Sequence, residues 1–339
     1  MKRICLSDFL EHSDQCPIID VRSELEFEAG HIPGAINVPI LNDDERKMVG
    51  TIYKQQSREA AVFKGLELSG PHLKERLKRV IKVSTGDQVL IHCWRGGMRS
   101  EFMAFLVAFY GKEPLILKGG YKTFRQAAHE LFQGEMDLRI LGGKTGTGKT
   151  EVLKVLRQIG VQVIDLEGLA NHRGSSFGSL GMGAQPTQEQ FENNLYAQLL
   201  TLDLNKPIWV ENENRTIGDK VIPEGIWLKM TYGKRFVIDK SREKRLQQIV
   251  QDYGHFDVKQ LIVAMERIGK RLGPQHVKRA VELLKIGDIS AAFEIALIYY
   301  DKAYEFHNEK NERSIEANIE AEGLSHEEVA ELIVNTYGH

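Results

Sequence analysis

The sequence predicts a parallel α/β protein: two α/β domains in tandem, then a helical region. Three observations predict it. Short apolar runs, "PIIDVRS", "AINVPI", "QVLIHC" and "PLILKGG", alternate with stretches of helical spacing such as "HLKERLKRVIKV" and "SEFMAFLVAFYG", the order of a parallel sheet with helices on both faces. The alternation restarts at Met136, where "MDLRIL" leads into the glycine-rich "GGKTGTGKT" and the helical "EVLKVLRQIG", closed by Gly160. From about Ser241 the strand signals fade and five segments of helical periodicity follow. The expected domains are 1–133, 134–240 and 241–339.

In the first domain the third apolar run ends in "HCWRGGMRS", His92 to Ser100. A sheet of this kind carries its reactive groups at the carboxyl ends of its strands, where Cys93 falls. Loop amides from Trp94 to Met98, the side chains of Arg95 and Arg99, and the start of the following helix would all favour a thiolate, the nucleophilic form. The spacing from Cys93 to Arg99 fits a cysteine phosphatase, and the strand-loop-helix setting fits a sulfurtransferase equally well. Cys5 and Cys16 lack such surroundings and read as core or surface residues.

The second domain opens with Gly143 to Thr150, "GKTGTGKT", a full match to the phosphate-binding loop G-x4-G-K-[ST] between a strand and a helix. Backbone amides of Gly143, Lys144, Thr145, Gly146, Thr147 and Gly148 converge on phosphate oxygens, Lys149 reaches the terminal phosphates, and Thr150 is placed to ligate Mg2+. This pattern specifies a di- or triphosphate and leaves its identity open. Asp165, ending "VQVID", and Glu211, ending "PIWVE", are the acids that a parallel sheet would set beside the loop. Between them "NHRGSSFGSLG" brings His172, Arg173, Ser175 and Ser176 in a polar, glycine-rich stretch suited to closing over an anion.

Bulk properties narrow the setting. The chain has 339 residues, a formal net charge of −2 and three cysteines, which excludes a disulfide framework and points to a reducing, cytoplasmic compartment. No apolar run approaches a membrane span, so a membrane partner is not expected. Charge is unevenly distributed: Lys234 to Lys285 holds thirteen Lys and Arg against six Asp and Glu, and Asp301 to His339 three against ten. A basic stretch of this kind can meet a phosphate backbone.

The residues also carry a family resemblance. "IIDVRSELEFEAGHIPGAINVP", with Asp20-Val21-Arg22 and Gly30 to Ala35, resembles the opening of rhodanese domains. Followed in order by "CWRGGMRS", "GGKTGTGKT", "LANHRGSSFG", "QPTQEQFEN" and "VENENRTIG", it resembles the bacterial tRNA 2-selenouridine synthases as far as about Tyr253. The resemblance implies a rhodanese-like domain, a P-loop NTPase-like domain and a C-terminal helical region. It implies a transferase that acts on wobble 2-thiouridine in tRNA, first S-geranylating it from geranyl diphosphate and then exchanging the S-geranyl group for selenium from selenophosphate, with an enzyme supplying selenophosphate as a further partner.

Under that resemblance Lys149, the loop amides and Mg2+ on Thr150 stabilise the departing diphosphate, with Glu211 in the catalytic set. Asp165, His172, Arg173, Ser175, Ser176 and Arg215 help bind the co-substrate. Cys93 engages selenium or assists expulsion of the geranylthio group, and Arg95 and Arg99 hold the phosphate of selenophosphate. The motif "VENENRTIG" departs from the family's usual Asp-Glu-Ser at Asn212-Glu213-Asn214. For tRNA contact the basic bias selects Arg242, Lys244, Arg245, Lys270, Arg271, Lys278 and Arg279. Two rival readings remain: a cysteine phosphatase coupled to a nucleotide-binding domain, which needs an Asp acid over the Cys93 loop, and a sulfur-carrying module gated by a nucleotide.

Overall fold

The computed structural model describes residues 1–310 and 315–337, and among them omits the side chains at 270, 271, 303 and 305–310. The chain divides into two compact units, Met1–Leu131 with Glu192–Asn194, and Phe132–Phe191 with Leu195–His339.

The first unit runs β1 (Lys2–Ile4), α1 (Leu6–His12), β2 (Ile18–Asp20), α2 (Glu24–Ala29), β3 (Ile36–Asn37), α3 (Asp43–Gln55), α4 (Arg58–Ser69), α5 (Leu73–Val83), β4 (Gln88–His92), α6 (Met98–Phe109), β5 (Glu113–Leu117) and α7 (Tyr121–Gln133). Its sheet is parallel throughout, in the order β1-β5-β4-β2-β3. The apolar residues of β4 face helices on both sides: Val89, Leu90 and Ile91 are all fully buried. Val89 and Ile91 share a core with Val80 of α5 and with Met103, Ala104 and Val107 of α6. That burial anchors the central strand, so the residue after it, Cys93, emerges at the carboxyl edge of the sheet.

The second unit runs β6 (Leu138–Gly143), α8 (Lys149–Gln158), β7 (Val163–Ile164), α9 (Leu166–Ala170), α10 (Gln188–Leu200), β8 (Ile208–Glu211), the hairpin β9 (Thr216–Ile217) and β10 (Lys220–Val221), α11 (Glu224–Tyr232), β11 (Lys234–Asp239), α12 (Arg242–Tyr253), α13 (Val258–Arg267), α14 (Gly269–Leu272), α15 (Pro274–Lys285), α16 (Ile289–Lys310), β12 (Ile315–Glu320) and α17 (His326–Tyr337). Its main sheet is again parallel, in the order β12-β11-β6-β8-β7. The chain is therefore α/β, with helices around two parallel sheets.

One expectation needs correcting. Residues 241–339 read as helical from sequence, but Ile315–Glu320 is an edge strand pairing with β11 from Arg235↔Ile315 to Asp239↔Glu320. In α17, Val329, Ala330 and Ile333 are buried in one core with Val152 and Leu156 of α8. The last part of the chain thus completes the sheet domain. Helices α12 to α16 form a layer around Leu261, Ala264, Met265, Ala292, Phe293, Ala296 and Leu297, all buried. Among the described residues no helix is long and apolar enough to cross a membrane.

Two candidate anion sites

The Cys93 loop is shaped from behind by the turn between β5 and α7. Gly96 takes φ +65°, and a Cβ there would lie 2.5 Å from the Leu117 carbonyl, so only glycine fits. The amides of Tyr121 and Lys122 donate to the carbonyls of Cys93 (2.9 Å) and Trp94 (3.0 Å). In a trans peptide C=O and the next N–H point opposite ways, so the amides of Trp94 and Arg95 turn away from α7. The Cys93 thiol is buried, with Sγ 3.4 Å from Ser100 Oγ, whose own proton goes to the Gly97 carbonyl at 2.8 Å. Ser100, absent from the sequence-based site, is therefore the polar neighbour of the thiol.

The arginines divide. Arg95 is exposed. Arg99 donates to both oxygens of Glu26, at 2.5 and 3.4 Å, and Glu26 also accepts from Arg46 at 3.3 Å and from the Ser23 amide at 3.2 Å. Burial opposes the Glu26 charge, but Arg99 and Arg46 outweigh it and hold the carboxyl below its ordinary range. Glu26 went unnoticed in the sequence because it reads as one acid among several on α2. Its job is visible only once Arg99 is placed beside it.

The Asp-Val-Arg element is internal scaffolding. Arg22 Nη2 donates to Asp20 Oδ2 at 2.6 Å and to the Gly30 carbonyl at 2.7 Å, and its guanidinium lies 3.9 Å from the Tyr121 ring centre. Burial opposes the Asp20 charge, and His92 together with Arg22 overcomes it, so the carboxyl sits below its usual range. Burial pushes His92 below the ordinary imidazole range despite the pull of Asp20. Glu26 and Asp20 are both held in salt bridges, to Arg99 and to the buried Arg22, so neither stands free as the acid that a phosphatase would need over the loop.

In the second unit the phosphate loop joins β6 to α8. Gly146 takes φ +84°, and a Cβ there would lie 2.5 Å from the Arg245 carbonyl. Thr147 Oγ1 donates to the Lys144 carbonyl at 3.0 Å, and Lys149 Nζ reaches back to the Gly143 carbonyl at 2.9 Å across the concavity. Lys149 is the first residue of α8, so its ammonium and the helix N-terminus bring positive charge to the same place.

Four carboxyl groups cluster beside the phosphate loop, two of them, Glu167 and Glu213, interacting with Lys149. Asp165 caps α9, accepting from the Gly168 amide at 2.7 Å. Glu211 is buried and accepts from the Leu166 amide at 3.3 Å; burial, then Asp165 and Glu167, raise it well above the carboxylate range. Glu167 accepts from Thr150 Oγ1 at 3.1 Å and is raised by burial against the pull of Lys149. Burial and Glu167 push Glu213 up to about 8. Sequence reasoning selected the acids that end the two strand runs; Glu167 and Glu213, two residues beyond Asp165 and Glu211, are the ones that feel the Lys149 charge. Among the described residues no group of three or more His, Cys, Asp or Glu side chains is arranged to hold a metal ion.

The stretch expected to close over an anion packs on the helical layer. Phe177 is buried with Phe293, and Arg173 lies over the Tyr253 ring at 5.6 Å. A Cβ on Gly174 would strike the Glu213 carboxyl, so this loop lies directly against the acids. Ser175 and Ser176 interact with Tyr253 and Tyr300, burial lowers His172, and Arg215 is exposed at the start of the β9–β10 hairpin.

Of the basic residues chosen for tRNA contact, Arg245 is placed otherwise. It is buried, paired with both oxygens of Asp301 at 2.7 Å, and it donates to the Thr145 carbonyl at 3.2 Å, bracing the phosphate loop. Arg242 pairs with Glu294, while Lys244, Lys278 and Arg279 are exposed. The side chains of Lys270 and Arg271 lie outside the described residues.

Comparison with known proteins agrees with this layout. Residues 136–335 match the family described as tRNA 2-selenouridine synthase AAA domain, and residues 6–127 match the rhodanese-like domain. The tRNA 2-selenouridine synthase of Pseudomonas fluorescens is 33% identical over 338 residues, covering 88% of this chain and 90% of that one. That of Nitrosomonas europaea is 37% identical over 245 residues, 70% of this chain, and the matched part spans 63% of the relative's length. A crystallised N-terminal domain from Clostridium difficile 630 is 35% identical with a TM-score of 0.35, covering 37% of this chain and 98% of that one.

Proposed function

The chain belongs to the tRNA 2-selenouridine synthase family, and from that premise we propose that it converts wobble 2-thiouridine in tRNA to 2-selenouridine in two steps, one at each anion site. The observation that carries this reading is the presence in one chain of a lysine-bearing phosphate loop and a separate thiol-bearing loop.

The first step is S-geranylation. The thiocarbonyl sulfur attacks C1 of geranyl diphosphate, the carbon–oxygen bond breaks, diphosphate leaves, and the N3 proton of the base passes to the departing diphosphate. Lys149 and the loop amides stabilise the charge that grows on the leaving group. Thr150 and Glu167, 3.1 Å apart, are the residues that would hold a magnesium ion, whose charge would offset that of the diphosphate. A diphosphate donor explains a phosphate loop without requiring ATP.

The second step exchanges sulfur for selenium. The selenium of selenophosphate attacks C2 of the S-geranyl base, geranylthiolate leaves, and water then cleaves the selenium–phosphorus bond to release phosphate. The amides of Trp94 and Arg95, with the exposed Arg95 guanidinium, carry the phosphate. Cys93 assists expulsion by protonating the departing geranylthiolate, and Ser100 and Gly97 hold the thiol ready. This assignment needs no reductant, whereas a Cys93–selenium bond would require one for product release. Arg99, tied to Glu26, keeps the loop in shape. A selenophosphate-forming enzyme would supply the co-substrate, and the reaction suits the cytoplasm.

Nucleoside mass spectrometry of 2-thiouridine tRNA incubated with both co-substrates tests the reading. The expected products are first S-geranyl-2-thiouridine and then 2-selenouridine; unchanged tRNA would overturn it.

A further inference from the structure

A cavity of about 880 Å³ lies in the first unit, within the range of pockets that enclose whole organic ligands. Ile40, Leu41, Val49, Ala61, Leu66 and Phe102 give it an apolar lining, while Arg95, Met98 and Arg99 bring its wall to the Cys93 loop. Lys47 and Lys54 add further positive charge, while Arg46 is paired with Glu26, and Glu101 is an acid in the lining. Hydrocarbon walls with cations around them match an apolar chain carried on an anion.

Two glycines mark the cavity as built. Gly50 lies inside α3 and Gly65 inside α4, where glycine weakens a helix, and both line this space. Neither has positive φ, and a Cβ on either would meet nothing within 4 Å. Close packing of the two helices does not require them. What their missing side chains leave is room.

We propose that this cavity binds the branched, acyclic hydrocarbon chain of an S-alkylated tRNA substrate and so presents the alkylthio group to the Cys93 loop. The inference rests on the two-step reading above and extends it by giving the chain a site in the first unit. Two places in the second unit offer no such room. The slot beside Thr145, walled by Phe177, Tyr253, Phe293 and Tyr300, is about 20 Å³, room for about one water. The apolar faces of α13 and α16 are filled by a core shared with α12 and α15.

The test is equilibrium binding to the full chain of anticodon stem-loops carrying S-geranyl- or S-methyl-2-thiouridine, with wild type, Gly65→Phe and Gly50→Phe. Each buried methylene is worth about fourfold in affinity, so wild type should prefer geranyl over methyl by at least about a hundredfold. Either Phe variant should lose at least about tenfold of that preference, bind the S-methyl stem-loop as wild type does, and melt no lower than wild type. Unaltered preference in both folded variants would overturn the proposal, as would a cavity occupied by a second copy, seen as self-association that Gly65→Phe abolishes with no dependence on chain length. Because the readout is binding, a wild type that prefers geranyl but forms no 2-selenouridine would sink the two-step reading and leave this site standing.

Discussion

Glu213 is one of three acids, with Glu167 and Glu211, whose raised proton affinity ties the stability of the second unit to pH. Folded, it keeps its proton to about pH 8, whereas its ordinary value is 4.5, so folding takes up a proton between those values and stability falls as pH rises through that window. Glu213→Gln should flatten the decline in melting temperature from pH 4.5 to 8, measured by thermal unfolding at each pH. In the first unit, Asp20→Asn strands the buried Arg22 charge and should cost about 3–5 kcal/mol in denaturant unfolding. Gly50→Ala and Gly65→Ala should each stabilise by about 0.5–1 kcal/mol, since each replaces a helix-interior glycine facing open space. The nucleophile-like Cys93 and the phosphate-loop Lys149 were legible as residues because their chemistry depends on neighbours close in sequence. Glu26, Ser100, Glu167 and Glu213 were not, because their significance comes from what the fold sets beside them.

At the scale of elements, the phosphate loop is braced from outside itself. Arg245 of α12 joins the Thr145 carbonyl to Asp301 of α16, so Arg245→Leu should weaken geranyl diphosphate binding by about tenfold or more while leaving tRNA affinity within about twofold of wild type. Calorimetry for the diphosphate and a gel-shift titration for tRNA at fixed salt separate the two effects. Local basic bias pointed to the opposite role, because charge counted along a chain does not tell a solvated arginine from a buried one. The strand β12 escaped notice for a related reason. Its alternation Ile315, Ala317, Ile319 has the period of a strand, but it is short, interleaved with Glu316, Asn318 and Glu320, and embedded among helices. The longer buried strands β4 and β6, which position both sites, were plain from short apolar runs, Val89–Ile91 in β4 and Ile140–Leu141 leading into the glycines of β6.

At the scale of the molecule, two parallel sheets each hold one candidate anion site at the carboxyl end of a central strand, β4 for the thiol and β6 for the phosphate loop. The account assigns one chemical step to each. The most direct test supplies tRNA already carrying S-geranyl-2-thiouridine, with selenophosphate, to Lys149→Ala and to Cys93→Ala, and follows 2-selenouridine formation by nucleoside mass spectrometry. The account predicts that Lys149→Ala works at the wild-type rate on this substrate, although it fails on 2-thiouridine tRNA with geranyl diphosphate, and that Cys93→Ala is slowed by about a hundredfold or more. A folded Lys149→Ala protein that also fails on the pre-geranylated tRNA, or a Cys93→Ala protein that turns it over normally, would contradict the division of labour.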